Sequence, residues 1–231
     1  MAIKGVLFDF SGTLFCVESV RDWLEAVLEE RGSPLSEAEL AGYAEQLAGA
    51  GALPGGSYPQ RMPSHLAELW ATRDESAERH RAAYTGLARQ VELPDPGLYD
   101  ALYERHMTPA AWRAYPDAAE VLRTLRERGV GIAVVSNIGW DPRPVFRAHG
   151  LDRWVDAYVL SYEHGVQKPD IRLFSAACEA LGQDPADALM VGDDRRADGG
   201  AADLGCAVHF VDHLPVEYRP AGLRPVLGLV E

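Results

Sequence analysis

The apolar run Val6-Leu7-Phe8 stops at Asp9, and Ser11 follows two residues later in the stretch "VLFDFSGTLF". A second run, 131–136, closes on Ser136-Asn137; a third, 188–192, closes on Gly192-Asp193-Asp194, with Asp198 further on. Lys168 stands in "GVQKPD", after a run at 156–160. A carboxylate can attack an electrophile or hold a hard metal ion, a hydroxyl can donate to an anion, and an ammonium can neutralise one. Any one Asp or Ser here could simply cap the next helix. Four run ends that supply complementary groups are harder to assign to capping. Lys168 stands out further because the chain has only two lysines, Lys4 and Lys168, among 22 basic residues. In so arginine-rich a chain a structural cation would be an arginine, and a compact ammonium is a different tool from a planar guanidinium.

These groups need a scaffold that brings run ends together. The segments 3–10, 131–136, 156–160, 188–192 and 206–211 are short and rich in Val, Ile, Leu and Phe. Strands buried on both faces of a parallel sheet have this texture. Helical patterns lie between them, such as 118–128 and 171–181; the latter is bounded by Asp170 and Gly182. Alternating strands and helices predict an α/β fold with a doubly wound parallel sheet. In such a sheet ligands bind beyond the carboxyl ends of the strands, where Asp9, Ser136, Lys168 and Asp193 fall. The stretch 16–109 breaks the rhythm with helical patterns alone, at 19–30, 36–47, 63–71 and 75–88, divided by "GALPGGSYP" at 51–59. We therefore expect a core of residues 1–15 and 110–231, with an all-helical domain of 16–109 inserted after the first strand.

Composition narrows the function classes. A 47% hydrophobic, 25% charged chain is an ordinary globular one, and its net charge of −13 argues against nucleic acid or an anionic membrane as partner. A small anion responds to local charge and is not excluded. The three cysteines, Cys16, Cys178 and Cys206, show no CxxC spacing and predict reduced thiols rather than disulfides or zinc. With no signal-peptide pattern and no membrane-length apolar stretch, a cytoplasmic protein is expected. Whether it is a monomer or a homodimer is left open.

The residues resemble the four motifs of the haloacid dehalogenase superfamily. "DFSGTL" from Asp9 is similar to motif one, usually D-x-D-G-T-L; Ser136 in "VVSN" matches motif two and Lys168 motif three. "VGDDRRADGGAADLG" from Val191 matches motif four. The resemblance spans nearly the whole chain and implies a Rossmann-like core with a helical cap of the first type. It also implies Mg²⁺ as cofactor, held by Asp9, Asp193 and the main-chain carbonyl of Ser11, with Asp194 and Asp198 as supporting or alternate ligands. Asp9 would form an aspartyl-phosphate, Ser136 (with Asn137 beside it) would bind the phosphoryl group, and Lys168 would neutralise charge. The implied partner is a small phosphorylated or otherwise anionic metabolite.

Motif one departs from the pattern at Ser11, where phosphatases usually carry a second Asp for acid–base work. Serine cannot be a base near neutral pH, so help worth about 10²–10⁴-fold per proton transfer would be missing. Three readings remain. One is a Mg²⁺-dependent phosphohydrolase with altered acid–base machinery, for which His65 or His80 could substitute, although both are better read as surface or core residues. Another is a 2-haloacid dehalogenase, which expels halide and needs no proton; the acidic Gly192-Asp193-Asp194 speaks against it. The third is a non-catalytic phosphate-ligand binder or partner protein. The inserted stretch shows no readable motif; Trp23, Tyr58, His65 and Trp70 are its candidates for substrate contact, or simply its core.

Overall fold

The computed structural model describes residues 2–230. Five parallel strands form one sheet: β1 (Gly5–Phe8), β4 (Gly131–Ser136), β5 (Ala157–Leu160), β6 (Ala188–Gly192) and β7 (Ala207–Phe210), in the order β5-β4-β1-β6-β7. Successive residues point to opposite faces, so the strands split into two apolar clusters. Val6, Phe8, Ile132, Val134 and Val191 lie on one side, Leu7, Ala133, Val135 and Met190 on the other. Helix α6 (Ala118–Glu127) buries Val121, Leu122 and Leu125 against the first; α9 (Ile171–Leu181) buries Leu173, Phe174 and Ala177 against the second. Cover on both faces explains why these strands are apolar throughout. The chain winds from β1 outward through β4 to β5, then crosses to β6 and β7. β1 is thus the switch point, and the crevice of an open α/β sheet lies beyond its carboxyl end, at Asp9.

Helices α1 (Val20–Glu30), α2 (Glu37–Ala50), α3 (Ala67–Ala71), α4 (Ala77–Ala88) and α5 (Leu98–His106) occupy the stretch after β1. Their starts follow the caps: Ser19 accepts from the Asp22 N–H, and Ser36 forms a reciprocal capping box with Glu39. The stretch is not wholly helical, however. β2 (Phe15–Val17) and β3 (Trp112–Ala114) pair as an antiparallel ribbon where the helices leave and rejoin the core, and strands of three residues are too short to show a period. The expected helix at 63–71 is a 3₁₀ turn (Ser64–Leu66) running into the short α3, and α5 lies outside the expected helical patterns. Three short helices complete the chain: α7 (Arg143–Ala148), α8 (Ser161–His164) and α10 (Ala201–Leu204). All three cysteines are free thiols, and among the described residues no helix is long and apolar enough to cross a membrane.

Two histidines sit inside this structure. His106 is fully buried; its Nδ1 pairs with the Tyr103 carbonyl and its Nε2 has no partner among the described residues. Burial pushes its pKa down from 6.5 to about 3, and burial likewise holds His80 well below 6.5. As pH falls from 6.5 towards 3, the unfolded chain takes up protons that the folded chain refuses, so stability falls with pH across that window. His106→Phe, which keeps ring volume, should flatten the acid limb of a plot of denaturation midpoint against pH. Parallel limbs for parent and variant would contradict the assignment.

Candidate active site

Asp9 follows β1 directly, and its own N–H is bonded to the Val191 carbonyl of β6, which fixes where the carboxylate emerges. Lys168 lies between two acids: its Nζ donates to Asp9 Oδ1 at 2.8 Å and to Asp198 Oδ1 at 2.6 Å. Lys168 is held in turn by Asn137, whose Oδ1 accepts from the Lys168 N–H (2.6 Å) and whose Nδ2 donates to the Lys168 carbonyl (3.0 Å). Asn137 is therefore a clamp on the lysine's backbone. Asp198 Oδ2 accepts from the Asp194 N–H at 2.9 Å, so both of its oxygens are engaged. Gly192 makes this possible, since a Cβ there would stand 2.1 Å from Asp198 Oδ2.

The electrostatics follow from burial. Removal from water raises Asp9 to about 7; Lys168 pulls it down, while Asp198 and Asp193 push it up. Burial also raises Asp198 against the pull of Lys168. For Lys168 burial works against the charge, but Asp198 and Asp9 outweigh it and hold the ammonium protonated. Lys168 is thus shared by Asp9 and Asp198, while the third carboxylate, Asp193, lies beside His213.

One oxygen from each of Asp9, Asp193 and Asp198 lies within 4.8 Å of the others. Gly12, at φ +76°, lets the turn pass beside Asp193, whose Oδ2 would be 2.4 Å from a Cβ at that position. Crowded carboxyl oxygens on a hard rim fit a small divalent cation such as Mg²⁺, which takes one or two carboxylates and keeps waters. Asp194 differs from the sequence expectation. Its Oδ1 caps the following turn, accepting from the N–H groups of Arg196 (2.8 Å) and Ala197 (2.9 Å), and its Oδ2 accepts from Tyr58 OH at 2.9 Å. The turn that places Asp193 at the rim thus directs its neighbour's carboxylate elsewhere.

Above this rim is a cavity of about 470 Å³. Asp9, Ser11, Ser136 and Lys168 form its floor; the loop from Pro54 to Tyr58 and residues Trp70, Arg73 and Asp74 face them from the inserted helices. Ser136 is buried at the end of β4. Ser11 Oγ makes one long contact, 3.4 Å to the Gly55 carbonyl. Gly55 has φ +81°, and a Cβ there would meet Ser11 Oγ at 2.7 Å, so glycine allows the loop to rest on motif one. Phe10, Trp112 and Trp140 make an aromatic wall, with Phe10 and Trp112 centroids 4.5 Å apart. Of the inserted candidates, Tyr58 and Trp70 line the cavity. Trp23 is core, donating from Nε1 to the Leu102 carbonyl, and His65 lines a separate surface hollow. His80 touches the cavity but is buried and neutral, with Nδ1 2.7 Å from Tyr103 OH.

Four contributors carry no sequence motif. Arg219, near the C-terminus, donates to the carbonyls of Gly12 and Thr13 and lies over the Tyr115 ring, bracing the motif-one turn. His213 Nδ1 is 2.8 Å from Asp193 Oδ2, and that contact, with one to Cys16, raises it to about 9. Arg73 and Asp74 come from the turn before α4. His213 could have been found by applying the strand-end rule to 206–211; the other three offered no signal.

A parallel core, a carboxylate at its switch point and an acidic loop after β6 gather carboxylates at the mouth of an open α/β sheet. The chain belongs to the haloacid dehalogenase-like hydrolase family, whose model matches residues 3–203. It is 31% identical over 173 residues to (S)-2-haloacid dehalogenase 4A of Burkholderia cepacia, covering 73% of this chain and 70% of that one. It is 36% identical over 177 residues to the phosphoserine phosphatase of Thermus thermophilus, covering 70% and 66%. The structure superposes on a phosphatase of the family from Thermococcus onnurineus with a TM-score of 0.60 at 23% identity, over 99% of both chains. Its relatives thus include both phosphatases and dehalogenases.

Proposed function

We propose that the protein is a Mg²⁺-dependent phosphohydrolase acting on a small phosphomonoester through an aspartyl-phosphate at Asp9, with the inserted helices as the cap over its site. The observation that carries this reading is the meeting of Asp9, Asp193 and Asp198 beside a single buried ammonium. The three carboxylates have only Lys168 and the His213 imidazole beside Asp193 to offset them, and a divalent cation would relieve the remaining repulsion and take Asp193 as a ligand. Asp9, Asp193 and the Ser11 carbonyl would hold the ion, with Asp198 in support; when bound it supplies charge neutralisation that lets an anionic nucleophile meet an anionic phosphoryl group. Lys168 balances charge on Asp9, Ser136 offers its hydroxyl to a phosphoryl oxygen, and Asn137 keeps Lys168 in place.

A second reading, 2-haloacid dehalogenation, is favoured by one feature of the site: Ser11 in place of an acid, beside the aromatic wall of Phe10, Trp112 and Trp140. Release of halide needs no proton donor. A panel of phosphomonoesters and 2-haloacids, each assayed with Mg²⁺ and with EDTA, separates the two. Phosphate release that EDTA stops supports the first reading; halide release indifferent to EDTA replaces it with the second.

The metal assignment has a readout independent of turnover. A cation at 100 times its dissociation constant stabilises the native state by about 2.7 kcal/mol, which for a chain of this size corresponds to roughly 5–10 °C. Mg²⁺ should raise the melting temperature of the parent on that scale, and Asp193→Asn should lose the response. Indifference of the parent to millimolar Mg²⁺ would remove the ion from the site.

A further inference from the structure

Ser11 leaves the proposed reaction without a proton donor at its usual place, and the cavity is also lined by Asp74, a carboxyl that, unlike Asp194, has no hydrogen-bond donor among the described residues. Asp74 lies in the turn Arg73–Glu75 and is 3% exposed, yet it lines the cavity that holds Asp9 and Lys168. Among the described residues no N–H or O–H is hydrogen-bonded to its carboxyl. Arg73 Nε stands 3.4 Å from Oδ2 without hydrogen-bond geometry, and His80 Nε2 stands 3.8 Å from Oδ1. A carboxyl buried for structural reasons is normally well bonded, because an unsatisfied one costs free energy. Arg73 does not provide that bond: its Nε has no hydrogen-bond partner among the described residues, and its Nη1 donates to the Trp70 carbonyl at 2.9 Å.

The backbone of this turn is fixed relative to the catalytic floor. The Asp74 N–H donates to Gln167 Oε1 at 3.2 Å, and Gln167 Nε2 donates to the Ala71 carbonyl at 2.7 Å. Gln167 is the residue immediately before Lys168, so the turn is tied to the same loop that carries the lysine. Asp74 also stands outside the three-carboxylate cluster, on the insert side of the cavity. That is the side required of a proton donor here: in an in-line displacement the leaving oxygen departs from the face of phosphorus opposite the attacking Asp9.

We infer that Asp74 is the general acid and base of this enzyme, replacing from the inserted helices the carboxyl that Ser11 lacks. The inference rests on the phosphohydrolase reading. In the first step an oxygen of Asp9 bonds to phosphorus and the P–O bond to the leaving group breaks. Its electron pair stays on the ester oxygen, which takes the Asp74 proton and departs as alcohol. A water then occupies the vacated position and gives a proton to Asp74. Its oxygen bonds to phosphorus, and the P–O bond to Asp9 breaks to restore the carboxylate. Asp74 ends the cycle protonated, and no other reactant is needed. The groups facing it suit this role. Burial raises its pKa, with Arg73 and Lys168 pulling the other way; His80 is neutral, and burial keeps the Tyr84 phenol protonated.

The test compares the parent and Asp74→Asn with Mg²⁺ on p-nitrophenyl phosphate, whose leaving group needs no proton, and on glycerol phosphate, whose leaving group does. Asp74→Asn should slow the alkyl ester by about 10²–10⁴-fold in kcat/KM. With the aryl ester it should give a burst equal to enzyme concentration and then slow turnover. Ser11→Asp added to Asp74→Asn should restore part of the loss, which a purely structural role for Asp74 does not predict. Equal losses on both esters without a burst, or no loss, overturn the role of Asp74 while leaving the phosphohydrolase reading intact. If the parent releases no phosphate from either ester, nor from a wider phosphomonoester panel, that reading fails and Asp74's role fails with it. Should Asp74→Asn not fold, the parent alone decides. Its kcat/KM across aryl phosphates of rising leaving-group pKa should change little if the leaving oxygen is protonated, and a steep fall overturns the proposal.

Discussion

Asp9→Asn is expected to leave a folded protein with no measurable turnover, a loss on the order of 10⁴–10⁶-fold, the scale on which removal of a covalent nucleophile is felt. Asn has nearly the shape of Asp, and its amide oxygen can still accept from Lys168. The lysine keeps Asp198 as ion-pair partner at 2.6 Å. Stability in EDTA should be unchanged or slightly raised, because the variant removes one of the carboxylates that Asp198 and Asp193 repel. The phosphorylated adduct expected of the parent on trapping should be absent from the variant by mass spectrometry. A variant that turns over within tenfold of the parent would mean that water is activated directly and that the covalent route is wrong. Mg²⁺-dependent stabilisation should weaken in the same variant, since Asp9 is both nucleophile and ligand in this assignment. The two losses need not be equal, because Asp193 remains.

The core was readable in the sequence because each local signal agreed with the global arrangement. The runs 131–136 and 188–192 match β4 and β6 end to end, since strands covered on both faces carry no polar residue to blur their limits. Helix α9 matches at both ends because Asp170 caps it and Gly182, at φ +64°, ends it. The rim at the strand ends was readable for a related reason: in a doubly wound sheet the run ends must converge, so Asp9, Ser136, Lys168 and Asp193 line one cavity without any of their spacings being regular. What the sequence does not display depends on tertiary structure. The resemblance implies Asp194 as a supporting or alternate ligand, whereas in the structure its carboxylate accepts from two backbone N–H groups and Tyr58. Arg219 and Asp74 act from segments that show neither period nor motif. Arg219 reaches the motif-one turn from 206 residues away in sequence, and Asp74 reaches the cavity only because the insert folds back over it.

Lys168→Met should be the most destabilising single change at the site, and its pH dependence should reveal why. Lys168 is 3% exposed at its side chain and Asp198 is fully buried, so the variant strands a carboxylate whose only remaining donor among the described residues is the Asp194 N–H. Removing one partner of a buried ion pair costs about 3–5 kcal/mol. The sign of the pH effect follows from the carboxyls left behind. Lys168 lowers the pKa of both Asp9 and Asp198, so its loss moves both further above the value of 3.8 that they take in an unfolded chain. A carboxyl with a raised folded pKa stabilises the fold while protonated, and that contribution is lost as pH rises through the folded value. The gap between parent and variant, measured by urea denaturation in EDTA, should be narrow near pH 4 and widest above pH 7. Lys168→Arg separates charge from shape: the positive charge should restore much of the stability at pH 8. Activity should stay low, because a planar guanidinium does not place one point charge between two carboxylates. A gap that is constant with pH would mean that Lys168 contributes packing rather than charge. A fully active Lys168→Arg enzyme would mean that any cation suffices beside Asp9.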